Sequence, residues 1–352
     1  MAEQWQSFRY SFREINGYNK AINVVISPRE PGKTTAAWMQ LVYWPWKKTK
    51  KPSIYMVRQT NEITDALITS IEDIFNKFTD DNVKLEYTKS SMADGIVDCK
   101  INGEILFRIV SLSIQMRRIK LAVLRKINVV LMDEYIIDPN TKEKYQKNEA
   151  FKIKEAYTTW RRESEGVLKM YFLGNPYSLY NPLFMWLGVQ TEKLKPGAII
   201  TGDFWVVQCY QMNDELKAFI LKNNPLYEFD DSYRKYAFDG AAINDANIRI
   251  GKQPQGFKLL FLFHFENKIL GIYRNDAFID QDNYFFCKFV QTYSEQRIVF
   301  AFEFSDLINN AIIMSNDERT KMNHFKMAMR NQKVLFEDIN AYYVALSIYS
   351  MV

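Results

Sequence analysis

The segment AINVVISPREPGKT, residues 21 to 34, holds side chains whose types and spacing suit phosphate binding. It runs from an apolar, strand-like stretch through a turn into an alanine-rich helical pattern, which is the order of a P-loop. Gly32 lets the backbone approach a phosphate, Lys33 reaches the outer phosphates of a nucleotide, and Thr34 binds Mg²⁺, while free N–H groups at the helix start face the anion. The pattern G-x-x-x-x-G-K-[ST] is met except at its first position, where Ser27 replaces glycine.

A second chemical feature lies about a hundred residues further along the chain. Residues 127 to 134, INVVLMDE, form an apolar strand pattern that ends in Asp133 and Glu134. Desolvating charge is costly, so paired carboxylates at the end of a buried strand indicate a use for them. Asp133 fits the acceptor that holds Mg²⁺, and Glu134 fits the base that polarises an attacking water. A lone Gly-Lys-Thr arises by chance, but the two motifs together predict a P-loop domain that hydrolyses a nucleotide, with ATP and Mg²⁺ as cofactors.

Composition favours a folded cytosolic protein of two or three domains. The 352 residues are 47% hydrophobic and 15% aromatic, and the net charge of +5 is too small to identify a nucleic-acid partner. No apolar run approaches the length that spans a membrane, and the start of the chain lacks the profile of a signal peptide. The cysteines lie far apart in apolar contexts, so we expect reduced core residues and neither disulfides nor zinc. They are Cys99, Cys209 and Cys287.

Strand and helix patterns alternate along the first 205 residues. The strand patterns are 21–26, 53–58, 127–132 and 167–175, and the helical patterns include 33–44, 61–78 and 148–160. Such alternation predicts a mainly parallel sheet covered by helices on both faces. Ligands bind at the carboxyl ends of strands in such sheets. Because Ser27, Glu134 and Asn175 all follow strands, we expect one shared site there.

Three local signals refine this first domain. The stretch WPWKKTKKP predicts a lysine-rich turn after the P-loop helix. The helix at 61–78 has Thr60 or Asn61 as its plausible cap. Asn102-Gly103 between two strand patterns predicts a hairpin.

The character of the chain changes beyond about residue 205. We predict an ATPase domain at 1–205, a helical linker at 206–252 and a small α+β domain at 253–352. The last contains three strands in a meander, with a turn at Glu266-Asn267, and two closing helices at about 316–330 and 334–350.

With these motifs in place, the chain resembles the genome-packaging ATPases of small protein-primed tailed phages, the phi-29-like group. The resemblance covers the whole ATPase domain. Over the rest of the chain it consists of similar size and the same order of domains. The matching residues are Tyr18, Lys20, Asn23, Val25, Ile26, Arg29, Asp133-Glu134-Tyr135, and the segment LGNPYSLYNP from Leu173 to Pro182. Ser27 and Pro31 within the loop depart from the pattern. The resemblance implies an ASCE, RecA-like ATPase fold.

The resemblance also implies a homo-oligomeric ring, pentameric in related motors, at the portal vertex of a procapsid in the host cytoplasm. Such a ring threads double-stranded DNA through its pore and hydrolyses ATP at the seams between subunits. Its partners are the DNA, other copies of the chain and the portal protein, with a packaging RNA as a further candidate. Arg161 or Arg162, at the end of the helix at 148–160, corresponds to the arginine finger that acts across a seam. The alternative is that both arginines are exposed cations that favour the helix dipole.

Four further residues take roles from the resemblance. Arg29 toggles between phosphate and Glu134, or is a solvated turn residue. Asn175 couples loss of the γ-phosphate to subunit motion, or forms a turn with the proline that follows it. Tyr18 flanks the adenine, or is a core tyrosine. Arg58 is the basic residue after the second strand, or a plain surface residue.

Basic stretches are the candidates for DNA contact. The first comprises Arg117, Arg118 and Lys120, which the resemblance places in a region that faces the pore. The second comprises Lys47, Lys48, Lys50 and Lys51. Only phosphate contact is expected, because a translocase must accept any sequence. A charge run is also often a solvated face, and that reading stays open.

The C-terminal region has the outline of an RNase H-like nuclease domain. Two-metal cleavage needs several acids that converge on the sheet. Its first strand, at 257–265, is apolar but for Lys258 and His264 and has no aspartate. The nearby acids Glu266, Asp276, Glu303 and Asp306 form no recognisable constellation. We expect a nuclease-like fold without cleavage activity, kept for contact with DNA, portal or RNA.

Three other functions fit parts of this evidence. A different P-loop machine, such as a helicase or a plasmid-type DNA pump, shares both nucleotide motifs. A structural ring or DNA clamp fits if Ser27 and Pro31 distort the loop and weaken nucleotide binding. A small-molecule kinase is the least favoured, because the acid pair at 133–134 suits water activation.

Overall fold

The computed structural model describes residues 10–138, 143, 145–146, 148–177, 181–189, 193–223, 248–265, 268–278, 284–294, 296–301, 307–331 and 333–351. The chain divides into two compact units, Met1–Ile243 and Asn244–Val352. Within the described ranges, no helix has both the length and the apolar character needed to cross a membrane.

The first unit is built on an eight-stranded sheet. Its strands are β1 Ile22–Ile26, β2 Ser53–Val57, β3 Ile96–Ile101, β4 Glu104–Ser111, β5 Val129–Met132, β6 Lys169–Gly174, β7 Ile199–Thr201 and β8 Trp205–Cys209. They lie in the order β3-β4-β2-β5-β6-β1-β8-β7. The six inner strands are parallel, and β3 and β7 pair antiparallel at the two edges. The predicted mainly parallel sheet is confirmed.

Helices connect these strands and cover both faces of the sheet. They are α1 Arg13–Gly17, α2 at 33–49, α3 Asp65–Phe78, α4 Met116–Leu121, α5 Glu149–Trp160, α6 Pro182–Leu187 and α7 Asp214–Asn223. Neighbouring residues of one strand belong to different cores: Val25 packs in one cluster and Val24 in the other. Since strand side chains alternate between faces, both faces are buried, which accounts for the nearly unbroken apolar runs of the inner strands.

The P-loop helix α2 is longer than its sequence pattern predicted. It begins as Lys33–Ala36, widens to a π-helical segment at Ala37–Tyr43, and continues as Trp44–Thr49. The predicted lysine-rich turn is therefore wrong for Lys47 and Lys48, which are helical. Buried Trp46 anchors this last part of the helix.

Two other local predictions have different outcomes. The hairpin is confirmed: Asn102 and Gly103 both have positive φ, 50° and 78°, as a tight turn between β3 and β4 requires. The helix cap is wrong. Thr64 caps α3, with its side chain accepting from the backbone N–H of Leu67, because Thr60–Glu62 forms a separate 3₁₀ turn.

The boundary predicted at residue 205 falls inside the sheet. β8 pairs in parallel with β1, the strand that precedes the P-loop, so the first unit continues past that point. The start of the predicted helical linker is thus a buried strand, Trp205–Cys209, followed by α7. The rest of the linker, 224–247, lies outside the described residues.

The second unit contains a seven-stranded sheet. Its strands are β9 Arg249–Ile250, β10 Lys258–Phe265, β11 Lys268–Arg274, β12 Phe285–Phe289, β13 Val299–Ala301, β14 Ala311–Ile313 and β15 Val334–Phe336, in the order β14-β13-β10-β11-β12-β15-β9. The predicted meander β10–β11–β12 is confirmed by its antiparallel pairing. β13 and β14 continue the sheet in parallel from β10.

Helices of the second unit follow its last strands. They are α8 Asn316–Lys321, α9 Asn323–Arg330 and α10 Ile339–Met351. The helix predicted at 334–350 is wrong at its start, because β15 at 334–336 pairs with β12. The turn predicted at Glu266-Asn267 lies outside the described residues.

All three cysteines are buried and free. Burial raises the pKa of the Cys209 thiol to about 12, and raises that of the other two as well. Thiols that remain protonated are poor nucleophiles and poor metal ligands. The expectation of reduced core residues is confirmed.

Candidate nucleotide site at the carboxyl edge of the first sheet

The P-loop occupies the turn between β1 and α2. Gly32 has φ 78°, ψ 25°, a left-handed conformation that favours glycine and starts the helix at Lys33. Ser27, at the position of the missing glycine, is buried, and its N–H donates to the carbonyl of Gly174 at 3.1 Å. Its hydroxyl donates to the carbonyl of Pro28 at 2.9 Å. The serine is therefore accommodated by local hydrogen bonds.

Lys33 lies in the centre of the site. Its ammonium donates to Oδ1 of Asn175 at 2.5 Å, so the lysine and the residue after β6 are already in contact. Burial lowers the pKa of Lys33, while Asp133 and Glu134 act to raise it. A buried cation facing two acids and an amide is well placed to receive a phosphate.

Thr34 and Asp133 join the P-loop helix to the end of β5. The Thr34 hydroxyl donates to Oδ2 of Asp133 at 2.6 Å. Both groups are oxygen ligands, which Mg²⁺ prefers, and Mg²⁺ commonly takes one or two protein ligands and completes its shell with waters and phosphates. The described residues hold no group of three or more His, Cys, Asp or Glu side chains that would form a full protein cage. The pair therefore fits a magnesium ion shared with a nucleotide.

Glu134 follows Asp133 with an unusual backbone. Its φ is 52°, in the left-handed region that side-chain-bearing residues rarely adopt, and its N–H donates to Oδ1 of Asp133 at 2.9 Å. Burial raises the pKa of the Glu134 carboxyl and Asp133 adds to this, whereas Lys33 and Arg29 oppose it. A carboxylate of raised basicity next to the Thr34 and Asp133 side chains can accept a proton from water.

Arg29 contacts a residue that the sequence reasoning missed, Tyr177. The guanidinium donates to the Tyr177 hydroxyl from Nη2 at 2.6 Å and from Nε at 3.2 Å, and it lies 3.7 Å from Asp138. Asn175 donates to the same hydroxyl at 3.2 Å. Arg29 is thus tied to the turn after β6, although its side chain is 41% exposed. The signal for Tyr177 was its place in the LGNPY segment.

Arg58 is not a surface residue. It is 4% exposed and forms a two-pronged ion pair with Glu149, which is 5% exposed. It also donates to the carbonyls of Tyr135 at 2.7 Å and Glu134 at 3.4 Å. Sequence reasoning missed Glu149, although a buried arginine needs an acidic partner.

The structure does not bring Tyr18 to the phosphate-binding residues. Tyr18 lies before β1, whereas the P-loop follows β1, and the five residues of that strand, 22–26, span roughly 16 Å. Tyr18 is 42% exposed, so it is not a core tyrosine either.

Arg161 and Arg162 occupy a 3₁₀ turn that continues α5, and both are exposed. Helix α5 leads from the carboxyl end of β5 back to the amino end of β6, so its last turn lies toward the amino edge of the sheet. The structure therefore places the two arginines away from Lys33 and Glu134 of the same chain.

The residues proposed for DNA contact lie on α4. Arg117 is exposed, Arg118 forms an ion pair with Asp94 at 3.3 Å, and Lys120 pairs with Glu155 of α5. Exposed pairs of this kind are weak, so these cations remain accessible to a phosphate backbone.

The lysine cluster at the end of α2 is also mostly paired. Its ion pairs are Lys47 with Asp81, Lys50 with Glu104 and Lys51 with Glu165. Lys48 is exposed.

In the second unit, Asp276 is the one candidate acid that falls among the described residues. Asp276 pairs with Arg274 at 2.6 Å, and His264 is buried in β10. Glu266, Glu303 and Asp306 lie outside the described residues.

The fold and site define a P-loop protein of the ASCE type: Gly-Lys-Thr follows β1, Asp-Glu follows β5, and strand β6 lies between β1 and β5 in the sheet.

No model of a known protein family matches the chain, and no curated protein matches it. Two solved structures share its fold. The Phi-28 gp11 DNA packaging motor has a TM-score of 0.62 at 16% identity and covers 98% of each chain. The bacteriophage Phi-29 viral genome packaging motor assembly has a TM-score of 0.61 at 16% identity, covering 98% of this chain and 99% of that one. The resemblance inferred from the motifs thus extends to the whole fold.

Proposed function

We propose that the protein is an ATPase that drives double-stranded viral DNA into a procapsid. The observation that carries this proposal is the assembly of a phosphate and metal site at one edge of the sheet, where Lys33 donates to Asn175 and where Thr34 and the backbone N–H of Glu134 donate to Asp133. This site belongs to a chain that shares its fold over nearly its whole length with two packaging motors.

The site residues divide the work of hydrolysis. Lys33 binds the outer phosphates, and Thr34 and Asp133 hold Mg²⁺, which neutralises charge on the phosphates when bound. Glu134 accepts a proton from the attacking water. Asn175, held by Lys33 through its side-chain oxygen, loses that contact when a phosphate takes its place. Phosphoryl transfer depends mainly on such positioning and charge neutralisation.

The active form in this proposal is a homo-oligomeric ring, with five subunits as in the resemblance. Arg161 and Arg162 lie toward the amino edge of the sheet, whereas the nucleotide site of the same chain lies at the carboxyl edge. This position suits arginines that act on the ATP of a neighbouring subunit. An arginine finger contributes about 10³ to 10⁵ in rate. A head-to-tail contact of this kind closes into a ring when the rotation allows.

The partners follow from the same proposal. DNA phosphates contact exposed cations such as Arg117, without sequence preference. The ring works at the portal of the procapsid in the host cytoplasm, with a packaging RNA as a further candidate partner. The second unit binds DNA, portal or RNA and does not cleave DNA.

Steady-state ATP hydrolysis tests the proposal, with and without duplex DNA, for the native chain and Glu134→Gln, over a range of protein concentration. We expect turnover that rises with concentration and with duplex DNA and is lost in the variant. Stimulation by single-stranded DNA alone would instead indicate a helicase. Turnover that is absent, or unchanged by Glu134→Gln, would overturn the proposal and favour a structural ring.

A further inference from the structure

The hydroxyl of Tyr177 is the meeting point of two segments of the nucleotide site. It accepts hydrogen bonds from Arg29 of the P-loop at 2.6 and 3.2 Å, and from the amide of Asn175 at 3.2 Å. Tyr177 itself is 8% exposed, and its N–H donates to the carbonyl of Asn175 at 2.8 Å. The ring is therefore held in place by its own turn, and the hydroxyl has a defined position.

The same contacts connect the two cations of the P-loop. Lys33 donates to the side-chain oxygen of Asn175, whose amide nitrogen donates to Tyr177, which in turn accepts from Arg29. Asp138 adds a carboxylate 3.7 Å from the guanidinium, and the Tyr177 ring centre lies 5.8 Å from it. Both cations are thus engaged by protein groups.

We propose that Tyr177 is a positioning residue that latches Arg29 away from the nucleotide and thereby sets the affinity for a nucleoside triphosphate; this rests on the proposed ATPase function. Hydrogen bonds from a charged donor are stronger than neutral ones. A triphosphate has to break them before Arg29 can contact it. Arg29 lies within the P-loop, three residues before Gly32, so its released guanidinium is close to the phosphates that the loop binds.

The latch also gives Asn175 a second task. When phosphate displaces Asn175 from Lys33, the side-chain amide of Asn175 keeps its hydrogen bond to Tyr177. Asn175 therefore remains attached to the turn that follows β6. Loss of the γ-phosphate then lets Lys33 return to Asn175 and Arg29 to Tyr177 together. Tyr177 links the two exchanges, because Asn175 and Arg29 both donate to its hydroxyl oxygen.

Tyr177→Phe tests the latch, because it removes the hydroxyl and keeps the ring. Tyr135→Phe is the matched control: Tyr135 is also buried beside the site, and its hydroxyl has no hydrogen-bond partner among the described residues. Affinities for Mg-ATP and Mg-ADP are measured by competition with a fluorescent ATP analogue. We expect Tyr177→Phe to bind ATP about tenfold more tightly, to change ADP affinity less, and Tyr135→Phe to match the native chain.

A double-mutant cycle with Arg29→Gln separates a latch from a merely structural tyrosine. With glutamine at position 29, Tyr177→Phe has no charged donor to release, so its effect on ATP affinity should fall to within about twofold. Any of three results would overturn the proposal. Tyr177→Phe could raise ATP affinity equally with and without Arg29, change the affinities for ATP and ADP equally, or change neither. Should Tyr177→Phe fold poorly, as judged by thermal melting, Asp138→Asn replaces it, because it weakens the other contact of Arg29 and predicts tightening in the same direction.

Binding and turnover distinguish the two proposals. If Glu134→Gln abolishes hydrolysis while the cycle is additive, the latch fails and the ATPase stands. If the native chain binds ATP without hydrolysing it, the ATPase fails, and the cycle still decides the latch.

Discussion

Arg58 and Glu149 form a buried ion pair in which each side chain is 5% exposed, with Nε to Oε2 at 2.9 Å and Nη2 to Oε1 at 3.0 Å. The pair joins the end of β2 to the start of α5. From there Arg58 donates to the carbonyls of Glu134 and Tyr135. The left-handed backbone of Glu134 carries strain that the surrounding structure has to hold. The ion pair therefore supports the loop that presents the candidate base.

Glu149→Gln should destabilise the protein strongly. The change leaves the Arg58 guanidinium buried without its carboxylate, at a cost of about 3–5 kcal/mol. The free energy of unfolding in urea measures this. Glu155→Gln on the same helix is the control, because its partner Lys120 is partly exposed and the expected loss is about 1 kcal/mol or less. Equal losses in the two variants would contradict the role given to the buried pair.

Gly174→Ala should disturb the loop after β5. A Cβ at Gly174 would lie 2.8 Å from Cε1 of Tyr135 and 2.9 Å from Cγ1 of Ile136, closer than side chains pack. We expect a loss of about 1–3 kcal/mol and a fall in kcat, because the carbonyl of Gly174 also holds Ser27 of the P-loop. Gly17→Ala, where a Cβ meets open space, should leave both unchanged. Native-like stability and turnover in Gly174→Ala would show that this packing is not needed.

The pH dependence of kcat/KM should report Glu134 and Lys33. The raised pKa keeps the Glu134 carboxyl protonated to a higher pH than usual, and only the ionised form accepts a proton, so activity rises as pH increases through that pKa. The lowered pKa of Lys33 means that its charge is lost at a lower pH than usual, which places the alkaline limb below that of an exposed lysine. Because Arg29 lowers the pKa of Glu134, Arg29→Gln should move the acid limb to higher pH. An acid limb that stays in place would show that Glu134 does not govern it.

Mixed subunits should reveal which arginine acts across a seam. Arg161→Ala, Arg162→Ala and Glu134→Gln are prepared separately, and each arginine variant is mixed with Glu134→Gln. In a mixed ring, some seams combine an intact Glu134 from one subunit with an intact arginine from the next. We therefore expect the variant of the acting arginine to be inactive alone and to regain part of the native turnover on mixing. Absence of any recovery for both arginines would place their role, if any, within a single chain.

Local chemistry explains why part of the site was predictable from the sequence. Gly32, Lys33 and Thr34 are contiguous, so their pattern defines a loop and a helix start wherever the chain goes. The apolar run before Asp133 and Glu134 likewise predicts a buried strand with a polar end. Placing both motifs at one edge followed from the rule that parallel strands share a carboxyl edge.

Some helix and domain boundaries were less predictable because packing outweighed local signals. Helix α2 continues to Thr49 through its lysines because Trp46 is buried in the core. The strand at 205–209 pairs with β1 although more than 170 residues separate the two in the chain. A pairing of that kind depends on the sheet and leaves no short-range pattern.

The sequence by itself determined the P-loop, the acid-tipped strand, the parallel sheet and the meander of the second unit, because each depends on residues adjacent in the chain or on the strand and helix periods of 2.0 and 3.6 residues. Only the tertiary structure decided that Tyr177 holds Arg29 and that Glu149 neutralises Arg58. The partners in these two contacts are separated by 148 and 91 residues. They meet because a buried charge or polar group must find a partner among whatever side chains the folded sheet brings within reach.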